Sequence, residues 1–164
     1  MDGFQERMMD ISENLQHADD VSRVAQIQSA MLTQQTQKRM SELLLDLGRE
    51  WGQRDEWVRV EFSGGSSESG ASINPGLDVT YGGEGGTWSS PTFSIATVCN
   101  ADRVEVTVSD GHWDSVANVH GNWGTWTDQR LVYQGDVRTP VIRRRLQEAF
   151  LPWYKEVVTH GYSS

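Results

Sequence analysis

The chain has 164 residues, with 23 acidic against 14 basic side chains, a formal charge of −9, seven tryptophans and a single cysteine. That size fits one ordinary domain, or a small domain with an appendage. The acidic balance argues against a general nucleic-acid binder, which needs clustered Lys and Arg against phosphate, and no apolar run reaches the ~18 residues of a membrane span.

Residues 1–52 read as a helical arm. Phe4, Met8, Ile11, Leu15 and Ala18 recur at alternating spacings of four and three, which lays them on one stripe of an α-helix. The stripe continues less strictly through Val21, Val24, Ala25, Met31 and Leu32, and strengthens at Met40, Leu43, Leu44, Leu47 and Trp51. No proline or glycine interrupts residues 4–47, and Gly48 and Gly52 are natural stop signals. A helix of about 45 residues is roughly 68 Å long at ~1.5 Å per residue. A β domain of about 80 residues is only ~30 Å across. An unbroken arm therefore overhangs its domain.

Three destinations are open to its apolar stripe. The arm can fold onto its own domain, as one helix or as a hairpin broken near His17–Asp20, with Asp19 or Asp20 capping the second helix. It can self-associate through Phe4, Met8, Ile11, Leu15, Met40, Leu43 and Leu47. It can dock a protein partner. A coiled coil keeps apolar residues at positions a and d. With Phe4 counted as d, the heptad fails at Ser22, Ser29 and Thr36.

Residues 53–164 read as an antiparallel sheet domain ending in a helix. Val58, Val60 and Phe62 alternate with Trp57, Arg59 and Glu61, the period-2 pattern of a first strand over 56–62. The Gly/Ser-rich stretch 63–76 predicts a loop, Leu77–Tyr81 a short strand, and residues 82–90 a second loop. Such loops are functional or disordered, and whether they order on binding a ligand is open. Pro91–Cys99 predicts the next strand, turned by Asn100-Ala101-Asp102.

Val104, Val106 and Val108 then alternate with polar residues, and Asp110-Gly111 predicts a hairpin turn, because type I′ turns need φ > 0. Val116–His120, Trp123–Thr127 and Arg130–Gln134 predict further strands. Thr139 followed by Pro140 marks a helix start, and Pro152 is expected to kink or end that helix. The fold class is α+β: a long N-terminal helix or helical hairpin, an antiparallel meander of five to seven strands, and a C-terminal helix.

Two constellations are candidates for chemistry. Trp88, Trp113, Trp123 and Trp126 can fill the core of a small sheet or form a binding patch for a partner or a ring-bearing ligand such as a carbohydrate. His112, Asp114 and His120, with Asp110, are the one cluster resembling metal ligands. They lack the spacing of a zinc or metalloprotease motif and read first as polar strand-end residues, so no metal and no cofactor is expected. Arg143–Arg145 read as a solvated helix face pairing with the acidic first twenty residues.

GGEGGTW lacks the Lys-Ser/Thr of a phosphate-binding loop, and no GxSxG occurs. The leading expectation is a structural or adaptor subunit without enzymatic activity, part of a virion-like or secretion-like particle. In this reading it self-associates or docks through its N-terminal helix. The alternatives are a soluble ligand-binding module using the tryptophans and Gly/Ser loops, and a small acidic chaperone or inhibitor covering a basic partner. One cysteine and an opening MDGFQERMMD without secretory or transit character point to the cytoplasm, or a particle assembled there.

Overall fold

In the computed structural model the described residues are 3–54, 58–66, 72–82, 91–113, 124–126 and 128–160. Helix α1 spans Gly3–Gly52 without a break. The hairpin variant of the arm is therefore overturned: residues 17–20 are helical, with Arg23 bridging Asp19 across one turn instead of a cap forming there. Gly48 does not stop the helix, which runs on to Gly52.

Six strands follow: β1 (Val58–Ser66), β2 (Ser72–Tyr81), β3 (Thr92–Asn100), β4 (Arg103–Trp113), β5 (Gly124–Trp126) and β6 (Arg130–Asp136). They form one antiparallel sheet in the order β1-β2-β3-β4. The next position beside β4 is shared: β6 pairs with Arg103–Val108 and β5 with Gly111–Trp113. Helix α2 (Thr139–His160) closes the chain. The fold is α+β, with a long N-terminal helix, an antiparallel sheet and a C-terminal helix.

The sheet alternates as its sequence demands. Phe93, Ile95, Thr97 and Cys99 of β3 and Val104, Val106 and Val108 of β4 are buried, while Ala96, Val98 and Glu105 between them are exposed. Both helices cover that buried face. Met40, Leu43, Leu44, Leu47 and Trp51 of α1 join Ile142, Leu146, Phe150, Trp153 and Val157 of α2 in one core with it. Trp51 stacks on Phe150 with ring centroids 4.0 Å apart, and Phe93 meets both rings edge-on from the sheet. The Trp153 indole donates to the Gly111 carbonyl at 3.0 Å, anchoring α2 to β4.

Three local expectations are corrected. Asp110-Gly111 is not a turn: Asp110 pairs with Phe93 and Gly111 with Trp126, so β4 runs to Trp113. The Asp110 carboxylate accepts from Arg130 at 3.1 Å. Residues 63–66 and 72–76 are strand and pair with each other, with a bulge in β1 at Gly64. Pro152 does not end α2, which continues to His160 and buries Trp153 and Val157 beyond it.

Candidate functional site: the N-terminal arm

The two halves of α1 live in different surroundings. From Thr36 to Trp51 the apolar stripe is buried against β1, β2 and β3. Met40, Leu43 and Leu47 are therefore core residues of this chain and not an assembly surface, because the sheet already covers them. Phe4, Met8, Ile11 and Leu15 lie at the other end, 57–67% exposed. Between Gly3 and Leu32 the helix meets no other element through a buried side chain among the described residues. That overhang is roughly 45 Å of helix.

A pair of threonines sets the boundary. Thr33 Oγ1 accepts from the Ala101 amide at 2.8 Å, and Thr36 Oγ1 donates to the Ala101 carbonyl at 2.5 Å. Ala101 sits at φ 52 in the β3–β4 turn, where its amide and carbonyl lie outside the strand ladder. Next to Thr36, Gln37 Nε2 donates to Asn74 Oδ1, which also accepts from the Cys99 amide. The sheet grips α1 from Thr33 onward. From Gly3 to Leu32 every residue is exposed.

The exposed apolar residues follow one line and part of a second. At ~100° per residue, Phe4, Met8, Ile11, Leu15, Ala18, Ser22, Ala25 and Ser29 fall on one side of the helix. Met40, Leu43, Leu44, Leu47 and Trp51 fall on that same side, so the exposed stripe and the sheet-packing stripe are one line. Val24 and Met31 do not continue that stripe as the sequence suggested: about 160–180° round the helix from Phe4, they form with Met9 and Ile27 a second line on the opposite side, all more than half exposed. Sequence reading missed Met9 and Ile27. Their signal is a separation of about five helical turns, visible only when the whole arm is taken as one helix.

The other candidates are placed as follows. Positions 113 and 126 lie on neighbouring strands, Trp113 pairing with Gly124 and Trp126 with Gly111, while Trp88 and Trp123 fall outside the described residues. His112 pairs with Thr125 across the β4–β5 ladder; Asp114 and His120 fall outside the described residues. Among the described residues no group of three His, Cys, Asp or Glu side chains is placed to hold a metal ion. No helix of the described residues is long and apolar enough to cross a membrane.

Arg143 pairs with Asp46 and Glu50 near the end of α1, not with the acidic first twenty residues; Arg144 and Arg145 are exposed. A groove between α1 and the start of α2 is lined by Arg39, Glu42, Asp46, Arg49 and Arg143, a mixture of both charges. Within it Arg143 pairs with Asp46, and the lining as a whole presents no single sign of charge.

No protein-family model, curated protein or solved structure matches the chain. The fold and the exposed arm are the ground for a functional reading.

Proposed function

We propose that the protein is a structural or adaptor subunit without enzymatic activity, which assembles through the projecting half of α1. The observation that carries this reading is the overhang: about thirty helical residues bearing ten large apolar side chains, each 42–67% exposed and none of them part of the core formed by the described residues. An exposed apolar stripe such as the line through Phe4, Met8, Ile11 and Leu15 marks an interaction surface. Isolated helices are marginal in water and gain most of their stability from packing an apolar face, so a long bare helix implies a partner for it. A sheet domain displayed at the end of a helical stalk suits a subunit of a larger particle, virion-like or secretion-like, in the cytoplasm or built there.

The test is solution mass by light scattering after gel filtration, for the full chain and for an Ile11→Gln/Leu15→Gln variant. Glutamine keeps helix propensity while removing the apolar seam. The full chain is expected to associate with rising concentration, and the variant to stay monomeric with an unchanged thermal midpoint. A full chain that is monomeric up to hundreds of micromolar would sink the self-assembly reading.

A further inference from the structure

We infer that two copies of this chain pair through their arms in antiparallel orientation, in the register that sets Phe4 against Ser29, Met8 against Ala25, Ile11 against Ser22 and Leu15 against Ala18. This rests on the assembly reading above and names its partner, a second copy, and its geometry. Two independent observations lead to it.

The first is where the sheet lies. The exposed stripe and the sheet-packing stripe occupy one side of α1, so the domain of each chain stands on the side of the helix that a partner helix must approach. In a parallel pair, residues 36–51 of the second helix would have to occupy the space held by the first chain's β1, β2 and β3. Parallel pairing in register is sterically closed. In an antiparallel pair the second arm runs away from the first domain. The register then has a limit, because Thr33 is already bonded to the β3–β4 turn. With Phe4 level with Ser29, the first helical residue, Gly3, stands level with Ala30, just short of that turn. The notch between arm and domain on one copy receives the arm tip of the other.

The second observation is side-chain size. The stripe is divided: Phe4, Met8, Ile11 and Leu15 are large, and Ala18, Ser22, Ala25 and Ser29 are small. A parallel pair would stack large on large at one end and leave voids between small residues at the other. The antiparallel register opposes a large residue to a small one in all four layers, and the two-fold axis repeats them. Alternation of this kind lets layers interdigitate without cavities. The serines that break a heptad of the usual kind are the complement of the large residues at the other end of the same helix.

Charge accommodates the pairing without selecting it. Glu6, Glu13 and Asp20 are spaced by sevens on the side away from the seam; of the flanking positions Gln5, Ser12, Asn14, Val21, Gln26 and Gln28 are uncharged, and Arg7 and Asp19 carry one charge of each sign. Seam and flanks bring about 15 residues a side, against ~20–30 for a standard interface. The pair is therefore reversible and depends on concentration.

The experiment is disulfide trapping in the full chain. Cys99 is buried and stays in place, with the parent protein as the control. Met8→Cys and Ala25→Cys variants are oxidised mildly, separately and mixed. The expected result is a mixed disulfide in the mixture and little dimer from either variant alone, since two copies of residue 8 then lie roughly 26 Å apart, far beyond the ~3.8 Å Cβ separation a disulfide needs. Ile11→Cys mixed with Ser22→Cys repeats the register at a second layer, and all four positions are outside the core, so folding is preserved. Self-crosslinking of Met8→Cys alone overturns the antiparallel pairing and leaves self-assembly standing. A parent that is dimeric by light scattering, yet gives no mixed disulfide at either layer, overturns this register only. A parent that is monomeric at all concentrations overturns both.

Discussion

Gly48 shows how closely α1 is laid on the sheet. A Cβ at this position would meet Val60 Cγ1 at 2.9 Å and Leu77 Cδ1 at 3.2 Å, so the helix can approach β1 and β2 only with hydrogen there. A glycine inside a helix normally costs about 1 kcal/mol against alanine, and the close contact is what offsets that cost. Gly48→Val is expected to lower stability by about 1–3 kcal/mol through overpacking, read as a lower urea midpoint at unchanged m-value. Cys99 shows the same burial electrostatically. Desolvation pushes its thiol above the ordinary value of 9.0, with the bond to Thr97 acting the other way. On unfolding, the thiol ionises at the lower, ordinary value while the native state still holds its proton. The contribution is thus fully present below that value and is lost as pH rises through the thiol's folded value. Stability of the parent is expected to fall more steeply over that range than stability of Cys99→Ala, and a thiol reagent should label native Cys99 far more slowly than the urea-unfolded chain.

At the scale of elements, the seat of α1 on the β3–β4 turn decides which part of the helix belongs to the domain. Thr36 is 2% exposed, and its hydroxyl donates to a carbonyl that no strand partner satisfies. Thr36→Val keeps the shape and removes the donor, taking from the part-buried Ala101 carbonyl a hydrogen bond worth about 0.5–1.5 kcal/mol. The expected outcome is a lower unfolding midpoint with the arm's association unchanged, because Phe4 to Leu32 are untouched. The strands of that turn were legible in the sequence, since Val104, Val106 and Val108 alternate and β3 alternates opposite them. The helix start at Thr139-Pro140 was legible for the same local reason. Asp110-Gly111 was misread because turn preference is a local term. Here a full ladder with Phe93 on one side and Trp126 on the other overrides it, and Asp110 gains Arg130. Ser72–Gly76 was misread because its Asn, Pro and Gly resemble a loop. The Thr97 hydroxyl donates to the Pro75 carbonyl at 2.6 Å and the Asn74 side chain takes the Cys99 amide, long-range bonds that composition does not carry. The seam was half legible: the periodicity is in the sequence, but only the fold shows that the sheet takes Met40, Leu43 and Leu47 while Phe4 to Leu15 stay exposed.

For the whole molecule, the consequence is two tiers of stability in one continuous helix. From Thr36 to Trp51, α1 is held by the core, and its amides open only when the domain unfolds. From Gly3 to Leu32 it is held by helix propensity and by whatever covers its stripe. Propensity alone leaves such a segment marginal, since nucleation is costly and Ser12, Asn14, Ser22 and Ser29 are weak helix formers. Pairing adds the burial of Phe4, Met8, Ile11 and Leu15, each contributing about 1.5–3 kcal/mol when fully covered, so arm helicity is coupled to association by mass action. Hydrogen exchange on the full chain at a high and a low protein concentration separates the tiers. Protection over 36–51 is expected to be the same at both concentrations. Protection over 4–32 is expected to fall on dilution, and helical circular dichroism should fall with it. In Ile11→Gln/Leu15→Gln the arm should exchange rapidly at both concentrations. If protection over 4–32 matched that of 36–51 and ignored dilution, the arm would be stable by itself, and assembly would not be what keeps it folded.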